Sequence, residues 1–349
     1  MTMPIAYLTN LDGIRTIAVL LVVVSHLLLQ LTNGGEPAFY SYRTMGRVGV
    51  AIFFVHTTLV LMASLARHGP TAIPFYMRRI FRIYPLSVAV VLFFALLQWL
   101  SHVPIDTGKL LSNLLLVQNL TGDASLPRPL WSLPYEVQMY LVLPLLYRVT
   151  GTRRAVAWTG LVYAVALLTA LALPARSLAA KLMLYVPCFL PGVLAFVLSR
   201  QRQASASPVP LFGLIAIGGV LAVPMAAAAG VPEMPLLWGL CLALGLTIPG
   251  RRQLADPLLV RGTHLVAKYS YGIYITHVLA LGAIDGLVPG PAIVQWAAML
   301  ILLPGLAYVC YHGIEKHGVA LGARLADRLA GTNHQNIGDA GQSDQARIG

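Results

Sequence analysis

The chain alternates long apolar runs with short polar joints. A helix of about 20 apolar residues is long enough to cross a bilayer. Ten such runs occur, at residues 11–31, 46–65, 81–100, 131–148, 155–173, 180–199, 209–229, 233–249, 266–286 and 291–312. A further run, 110–120, is too short to cross alone and carries four polar side chains, so we expect a re-entrant or half-helix against the outer face. The pattern predicts an all-α, polytopic integral membrane protein with about ten transmembrane helices.

Composition agrees with a membrane setting and divides the chain into two parts. The 349 residues are 58% hydrophobic and only 10% charged, which is typical of a polytopic helical protein. We expect a membrane-embedded domain over residues 1–314 and a polar cytoplasmic tail over residues 315–349. In the tail, residues 315–329 can form an amphipathic helix and residues 330–349 have a disorder-prone composition.

The basic residues are distributed as a topology signal. The net charge of +12 invites a nucleic-acid interpretation, but Lys and Arg also accumulate in cytoplasmic loops of membrane proteins. If run 110–120 does not cross and both termini are cytoplasmic, eighteen of the 24 basic residues lie inside and six lie outside. We therefore predict both termini on the cytoplasmic side and no nucleic-acid partner.

Two ionisable side chains lie within the first apolar run. Arg15 and His26 are eleven helical steps apart, which places them within about 20° of each other around the axis and about 16 Å apart along it. Placing an ionisable group in the hydrocarbon core of a membrane costs free energy, so such residues are candidates for a functional role. We therefore predict that the two side chains line one wall of an internal cavity, with the guanidinium of Arg15 nearer the cytoplasm than the imidazole of His26.

Glu136 lies near the start of the fourth run, which descends from the outer surface, so we expect it at about the depth of His26. A histidine with a buried carboxylate beside it is the arrangement of a general base and its orienting partner. The alternative is that each side chain satisfies polar groups of neighbouring helices.

A basic pair occurs in the joint between the second and third runs. Arg79 and Arg82 are three residues apart, so their guanidiniums can converge on one multiply charged anion, and phosphate is the natural ligand. The alternative is ordinary positive-inside charge in contact with lipid headgroups.

Five segments, in chain order, resemble the acyltransferase family 3 of membrane enzymes. They are residues 11–26 (LDGIRTIAVLLVVVSH), 46–55 (GRVGVAIFFV), 75–85 (FYMRRIFRIYP), 131–136 (WSLPYE) and 269–277 (YSYGIYITH). The resemblance covers residues 10 to 315 and implies a multi-pass protein of the bacterial inner membrane. It implies transfer of an acyl group, commonly acetyl, from cytoplasmic acyl-coenzyme A to a hydroxyl of a carbohydrate or glycolipid.

The resemblance also implies roles for single residues. It makes Arg15 and His26 critical, carries the paired arginines onto Arg79 and Arg82, and carries a glutamate onto Glu136. Acyl-coenzyme A is then a substrate, and no resident cofactor or metal is expected. The histidine would either deprotonate the acceptor hydroxyl or carry the acyl group covalently.

The second span departs from the family pattern. It continues as His56-Thr57-Thr58 where the family usually has a Ser-Gly pair, so His56 is a cavity-lining candidate. His277, in the ninth run, has the same status. For both histidines the alternative is a packing hydrogen bond. A secondary transporter is the alternative function, because it too combines about ten spans with buried charges and broken helices.

Overall fold

The computed structural model describes residues 9–345 apart from 70, 175, 176 and 289, with side chains up to residue 330. Every regular element in this part of the chain is helical, and one isolated β-bridge joins Ala206 to Arg251. The predicted all-α class is therefore confirmed. The helices, in chain order, are α1 (Thr9–Leu31), α2 (Tyr42–His68), α3 (Ala72–Leu100), α4 (Thr107–Leu114), α5 (Gln118–Thr121), α6 (Leu133–Val149), α7 (Ala155–Ala172), α8 (Leu178–Met183), α9 (Val186–Ser199), α10 (Val209–Gly213), α11 (Val223–Ala228), α12 (Glu233–Thr247), α13 (Pro257–Leu287), α14 (Ala292–Cys310) and α15 (Lys316–Gln345).

Three further turns interrupt or extend this series. A 3₁₀ turn, Arg128–Ser132, leads into α6. A π-helical stretch, Leu214–Ala222, joins α10 to α11, and a π-helical turn, Tyr311–Glu315, joins α14 to α15. Each of these two helix pairs is thus one continuous helix with a locally widened turn.

Seven helices in the described ranges are long and apolar enough to cross a membrane. They are Thr9–Leu31, Tyr42–His68, Ala72–Leu100, Ala155–Ala172, Leu178–Ser199, Val209–Ala228 and Ala292–Ala330. The other three predicted spans fall in α6, α12 and α13, which have 17, 15 and 31 residues. The protein is therefore a multi-pass membrane protein, while the count of ten spans and the side of each terminus stay predictions.

The short run 110–120 is broken into two pieces. Helix α4 has 8 residues and α5 has 4, and an 8-residue helix is only about 12 Å long. Asp106 begins α4 by accepting a hydrogen bond from the backbone N–H of Lys109 at 3.1 Å, as an N-cap residue does. Neither piece is long enough to cross a bilayer.

Helix α2 lies at the centre, since its apolar window is the most buried of the seven. Small residues allow its neighbours to approach closely. A Cβ on Gly49 would lie 2.5 Å from the carbonyl oxygen of Ala18 in α1, and one on Gly192 in α9 would lie 2.4 Å from that of Val55. The backbones of α1 and α9 therefore lie in close contact with different parts of α2. These contacts fix which side chains α2 presents to the site.

The start of α1 is fastened to the segment that precedes α13. The Asn10 side chain donates to the carbonyl of Arg252 at 2.9 Å and accepts from the N–H of Leu254 at 3.0 Å. Six residues later, Thr16 donates to the carbonyl of Thr263 at 3.0 Å. These bonds align α1 with α13, the two helices that carry the histidines of the site.

The last helix continues past the predicted domain boundary. Helix α15 packs on α3, and a Cβ on Gly318 or Gly322 would lie 2.5 or 2.6 Å from atoms of Phe81. Its backbone is helical to Gln345, and residues 346–349 lie outside the described residues. The disorder predicted after Leu329 stays a prediction. The first turns of α15 lie against the helix that carries Arg79 and Arg82.

Candidate functional site

A cavity lies where α1, α2, α3, α6 and α13 meet. Its lining borders about 460 Å³ of space not filled by atoms, part of which is open to the surroundings. Its charged and aromatic lining comes from all five helices. The principal lining residues are Arg15, His56, Arg79, Arg82, Glu136 and Tyr271. Five of the seven candidate site residues predicted from the sequence therefore line one space.

Three guanidiniums face this cavity. Arg79 and Arg82 lie one turn apart on α3, and Arg15 reaches the same space from α1. The Nε atoms of Arg15 and Arg79 are buried and have no hydrogen-bond partner among the described residues. Since a buried N–H normally finds an acceptor, both side chains are equipped to bind an anionic or carbonyl group that enters the cavity.

Glu136 is the acidic side chain of the cavity wall. It is 6% exposed, accepts a short hydrogen bond from the Tyr140 hydroxyl one turn later on α6, and interacts electrostatically with the three arginines. A carboxylate at this point offsets part of the repulsion among three like charges.

This position corrects the predicted pairing of Glu136 with His26. The described hydrogen bonds of His26 go to Val22 and Ser25, and Glu136 is not among its electrostatic partners. The two side chains were expected at one depth, but α6 turns its carboxylate toward the arginines, which stabilise it. Among the described residues no hydrogen bond joins Glu136 to His26.

His56 belongs to a short stack on α1 and α2. The guanidinium of Arg15 lies 5.7 Å above the Phe53 ring, and the His56 ring stacks on that ring at 6.1 Å. His56 is buried, and its Nδ1 has no hydrogen-bond partner in the described chain. The packing hydrogen bond that was the alternative for this residue is absent there at Nδ1, and the imidazole contributes to the cavity wall.

His277 lies beside His26 rather than in the cavity wall. The centroids of the two rings are 4.9 Å apart, and the planes meet at 64°. His277 is fully buried and its Nδ1 contacts the carbonyl of Tyr274 at 2.5 Å, while its Nε2 has no partner among the described atoms. His26 is half-buried. His277 is not among the lining residues of the cavity described above, so its role as a cavity-lining residue stays a prediction.

A stripe of side chains on α13 connects the cavity with the histidines. Tyr271 lines the cavity and donates to the carbonyl of Ile83 at 2.8 Å. One turn on, the Tyr274 hydroxyl contacts Ser132 at 2.7 Å and the carbonyl of Pro129. His277 follows after another three residues. The segment 269–277 therefore carries both the wall of the cavity and the partner of His26.

Glu315 is a site residue that the sequence analysis missed. It was assigned to the polar tail, yet its side chain is 0% exposed and one carboxylate oxygen lies 2.9 Å from Arg82 Nη1. Tyr140 and Tyr271 also line the cavity. Tyr271 lies in segment 269–277, where a core position was the favoured interpretation, and Tyr140 lies just beyond segment 131–136. For Tyr140 a signal exists, since it lies four residues after Glu136 and shares its helix face.

Comparison with known proteins identifies the family. Residues 8–312 match the family described as an acyltransferase domain, which is acyltransferase family 3. The chain belongs to this family. A relative, acyltransferase MdmB of Streptomyces mycarofaciens, is 31% identical over 153 residues, which are 40% of this chain and 39% of the relative. No solved structure matches the chain.

The family match includes every lining residue of the cavity, whereas Glu315 lies three residues beyond it. Helices α1 and α13 both border the cavity, and the histidine pair lies where these two helices meet. Because the alignment covers 40% of this chain and 39% of the relative, that similarity leaves both the reaction and the substrates open.

Proposed function

We propose that this acyltransferase moves an acyl group, acetyl in the simplest case, from acyl-coenzyme A to a hydroxyl of a carbohydrate or glycolipid at the cell surface. The observation that carries the proposal is the convergence of Arg15, Arg79 and Arg82 on one cavity in a chain of acyltransferase family 3. Multiply charged phosphates are the donor feature that such a cluster recognises.

The charge of the cavity fits an anionic donor. Three guanidiniums are opposed by the carboxylates of Glu136 and Glu315, so the lining keeps a net positive charge. Phosphate oxygens of the donor would bind Arg79 and Arg82 on α3. The unpartnered Nε–H of Arg15 is suited to donate a hydrogen bond to a carbonyl oxygen of the pantetheine arm.

The distance from the arginines to His26 suits an extended arm. Arg15 and His26 are both on α1 and lie about 16 Å apart along the helix axis. A pantetheine arm that passes Arg15 would bring its thioester toward His26. The acyl group is then presented on the face of α1 that contacts α13.

The hydrogen bonds of His26 suit a general base. Its Nδ1 lies 2.9 Å from the carbonyl oxygen of Val22, and a carbonyl can only accept, so the bonded Nδ1 carries the proton. In the neutral ring Nε2 then holds the free lone pair. Since His26 is half-buried, this lone pair is accessible to a substrate.

The transfer follows from this arrangement. His26 Nε2 takes the proton of the acceptor hydroxyl while the hydroxyl oxygen attacks the thioester carbonyl carbon. The carbon–sulfur bond breaks, and the coenzyme A thiolate leaves and regains the proton. In the covalent route, Nε2 itself attacks the thioester and an acyl-histidine passes the group on. Rapid quenching with labelled donor distinguishes the routes, because only the second leaves label on the protein.

The test is binding of acetyl-coenzyme A to the purified protein in detergent. We compare wild type with Arg79→Ala/Arg82→Ala and with Arg153→Ala/Arg154→Ala, whose two arginines are exposed and whose charge change is identical. A hydrogen bond to a charged group contributes about 1.5–3 kcal/mol, so the first variant loses affinity at least tenfold per residue and the second keeps it. S-acetyl-pantetheine, which has no phosphates, binds weakly to all three proteins. Equal affinity of both variants, or no binding to wild type, contradicts the proposal.

A further inference from the structure

Glu315 is a buried carboxylate that the proposed mechanism does not yet use. It ends the π-helical turn Tyr311–Glu315, three residues beyond the end of the family match. A π turn inserts one extra residue into a helix and frequently marks a functional position. The inserted residue changes the direction in which the last side chain of the turn projects, and Glu315 projects into the protein.

The surroundings of Glu315 impose a free-energy cost on its negative charge. Its side chain is fully buried, and apart from the 2.9 Å contact with Arg82 neither carboxylate oxygen has a hydrogen-bond donor among the described residues. A buried ion pair often costs as much in desolvation as it returns in attraction, so its presence is weak evidence for a role in stability. A role in the functional site explains the burial of this carboxylate better than a role in stability does.

Arg82 stands between Glu315 and the cavity. Its side chain is 26% exposed and lines the cavity, whereas Glu315 lies behind it. Glu315 also interacts electrostatically with Arg15 across the same space. A guanidinium has five N–H groups in a fixed plane, so one edge can bind the carboxylate while the other edge faces a ligand.

The backbone around Glu315 is held firmly against α3. Gly318 and Gly322 place α15 directly against Phe81, the residue before Arg82. A second ion pair, between Arg78 and Asp327 at 2.6 Å, joins the same two helices farther along. The carboxylate is therefore placed rigidly with respect to the arginine it contacts.

We propose that Glu315 is a positioning residue of the donor site, which holds the Arg82 guanidinium in the orientation that binds a donor phosphate. The assignment rests on the proposed function for the identity of that donor. Glu315 itself does not touch the donor. Without it, Arg82 retains its charge but loses its fixed direction, and binding of the phosphates weakens.

The first experiment measures affinity for two donors in the isosteric variant Glu315→Gln. We expect acetyl-coenzyme A to bind about tenfold more weakly, within the range for residues of one charged network, and S-acetyl-pantetheine to bind as it does to wild type. A merely structural role would weaken both ligands together. The control is Asp327→Asn, which breaks the neighbouring ion pair at an exposed carboxylate and should change neither affinity more than twofold.

A second experiment keeps the proposal testable if Glu315→Gln is poorly folded. In an Arg82→Gln background the carboxylate has no guanidinium to orient, so Arg82→Gln/Glu315→Gln should bind acetyl-coenzyme A as weakly as Arg82→Gln alone. An additional loss in the double variant, or unchanged affinity in Glu315→Gln, overturns the positioning role while the proposed function stands. A wild-type protein that binds no acetyl-coenzyme A overturns both.

Discussion

His26 and His277 lie edge to face across the contact of α1 and α13, with ring centroids 4.9 Å apart. Each ring directs Nδ1 to a carbonyl of its own helix, so Nε2 is the nitrogen left without a backbone partner in both. The two rings differ in access, because His277 is fully buried and His26 is not. Of the pair, His26 is the more exposed ring, and His277 packs against it.

Replacement of His26 by alanine should nearly abolish turnover. A positioned general base contributes about 10²- to 10⁴-fold, so transfer of radiolabel from acetyl-coenzyme A to membrane carbohydrate should fall at least a hundredfold. Donor affinity should change little, since the phosphates bind elsewhere. The control is His317→Ala at an exposed position of α15. A His26→Ala variant that keeps more than about a tenth of the wild-type rate contradicts the catalytic role.

Replacement of Arg15 by lysine should not preserve function. The guanidinium carbon lies 5.7 Å from the centroid of the Phe53 ring, and a compact ammonium lacks both the planar surface and the planar set of donors of a guanidinium. We expect transfer to fall about tenfold or more in Arg15→Lys. Arg153→Lys, at an exposed loop position, serves as the matched control. If both lysine variants are equally active, charge alone suffices and the geometry of Arg15 is unimportant.

The Tyr274 hydroxyl should stabilise the junction of α13 with the turn before α6. Tyr274→Phe removes the donor to the carbonyl of Pro129 and the contact with Ser132, which leaves buried polar groups unpaired at a cost of about 1–3 kcal/mol. Thermal unfolding in detergent should occur several degrees lower. Tyr308→Phe removes a hydroxyl from an exposed tyrosine and should leave the transition unchanged; similar curves for the two variants would argue against this junction.

Gly192 should tolerate no side chain. An alanine Cβ there would lie 2.4 Å from the carbonyl oxygen of Val55 and 2.7 Å from the Thr58 Cβ, so α9 must move away from α2. Such overpacking costs about 1–3 kcal/mol, and the fraction of monodisperse protein after heating should decrease. Gly160→Ala, in α7 with no atom within 4 Å, should instead be neutral or gain about 1 kcal/mol from helix propensity. Equal behaviour of the two variants is the contrary result.

Much of this architecture follows from composition and spacing. Apolar runs long enough for a bilayer form helices because each must satisfy its backbone hydrogen bonds internally. The spacing of Arg79 and Arg82 also predicted that their side chains lie on one helix face, since residues three apart on a helix face the same way. Both guanidiniums accordingly line one cavity, together with Arg15.

The pairing of side chains between helices was not predictable in the same way. Sequence position gives the distance of Glu136 from the start of its helix, but the rotation of α6 that turns it toward the arginines depends on packing. Glu315 was missed because the segment that follows it is polar. Its side chain is buried only because Gly318 and Gly322 allow α15 to pack closely on α3. The π turn that aims it leaves no clear pattern in the sequence.

The hydrogen bonds between Asn10 and residues 252 and 254 have a consequence for the biosynthesis of the protein. These partners are more than 240 residues apart, and a growing chain delivers its N-terminal part first. Helix α1 therefore enters the membrane with its arginine and histidine long before α13 exists to cover them. Until α13 has been synthesised and has docked, α1 lacks the partner that completes the histidine pair. We therefore expect a chain truncated before α13 to lack transfer activity.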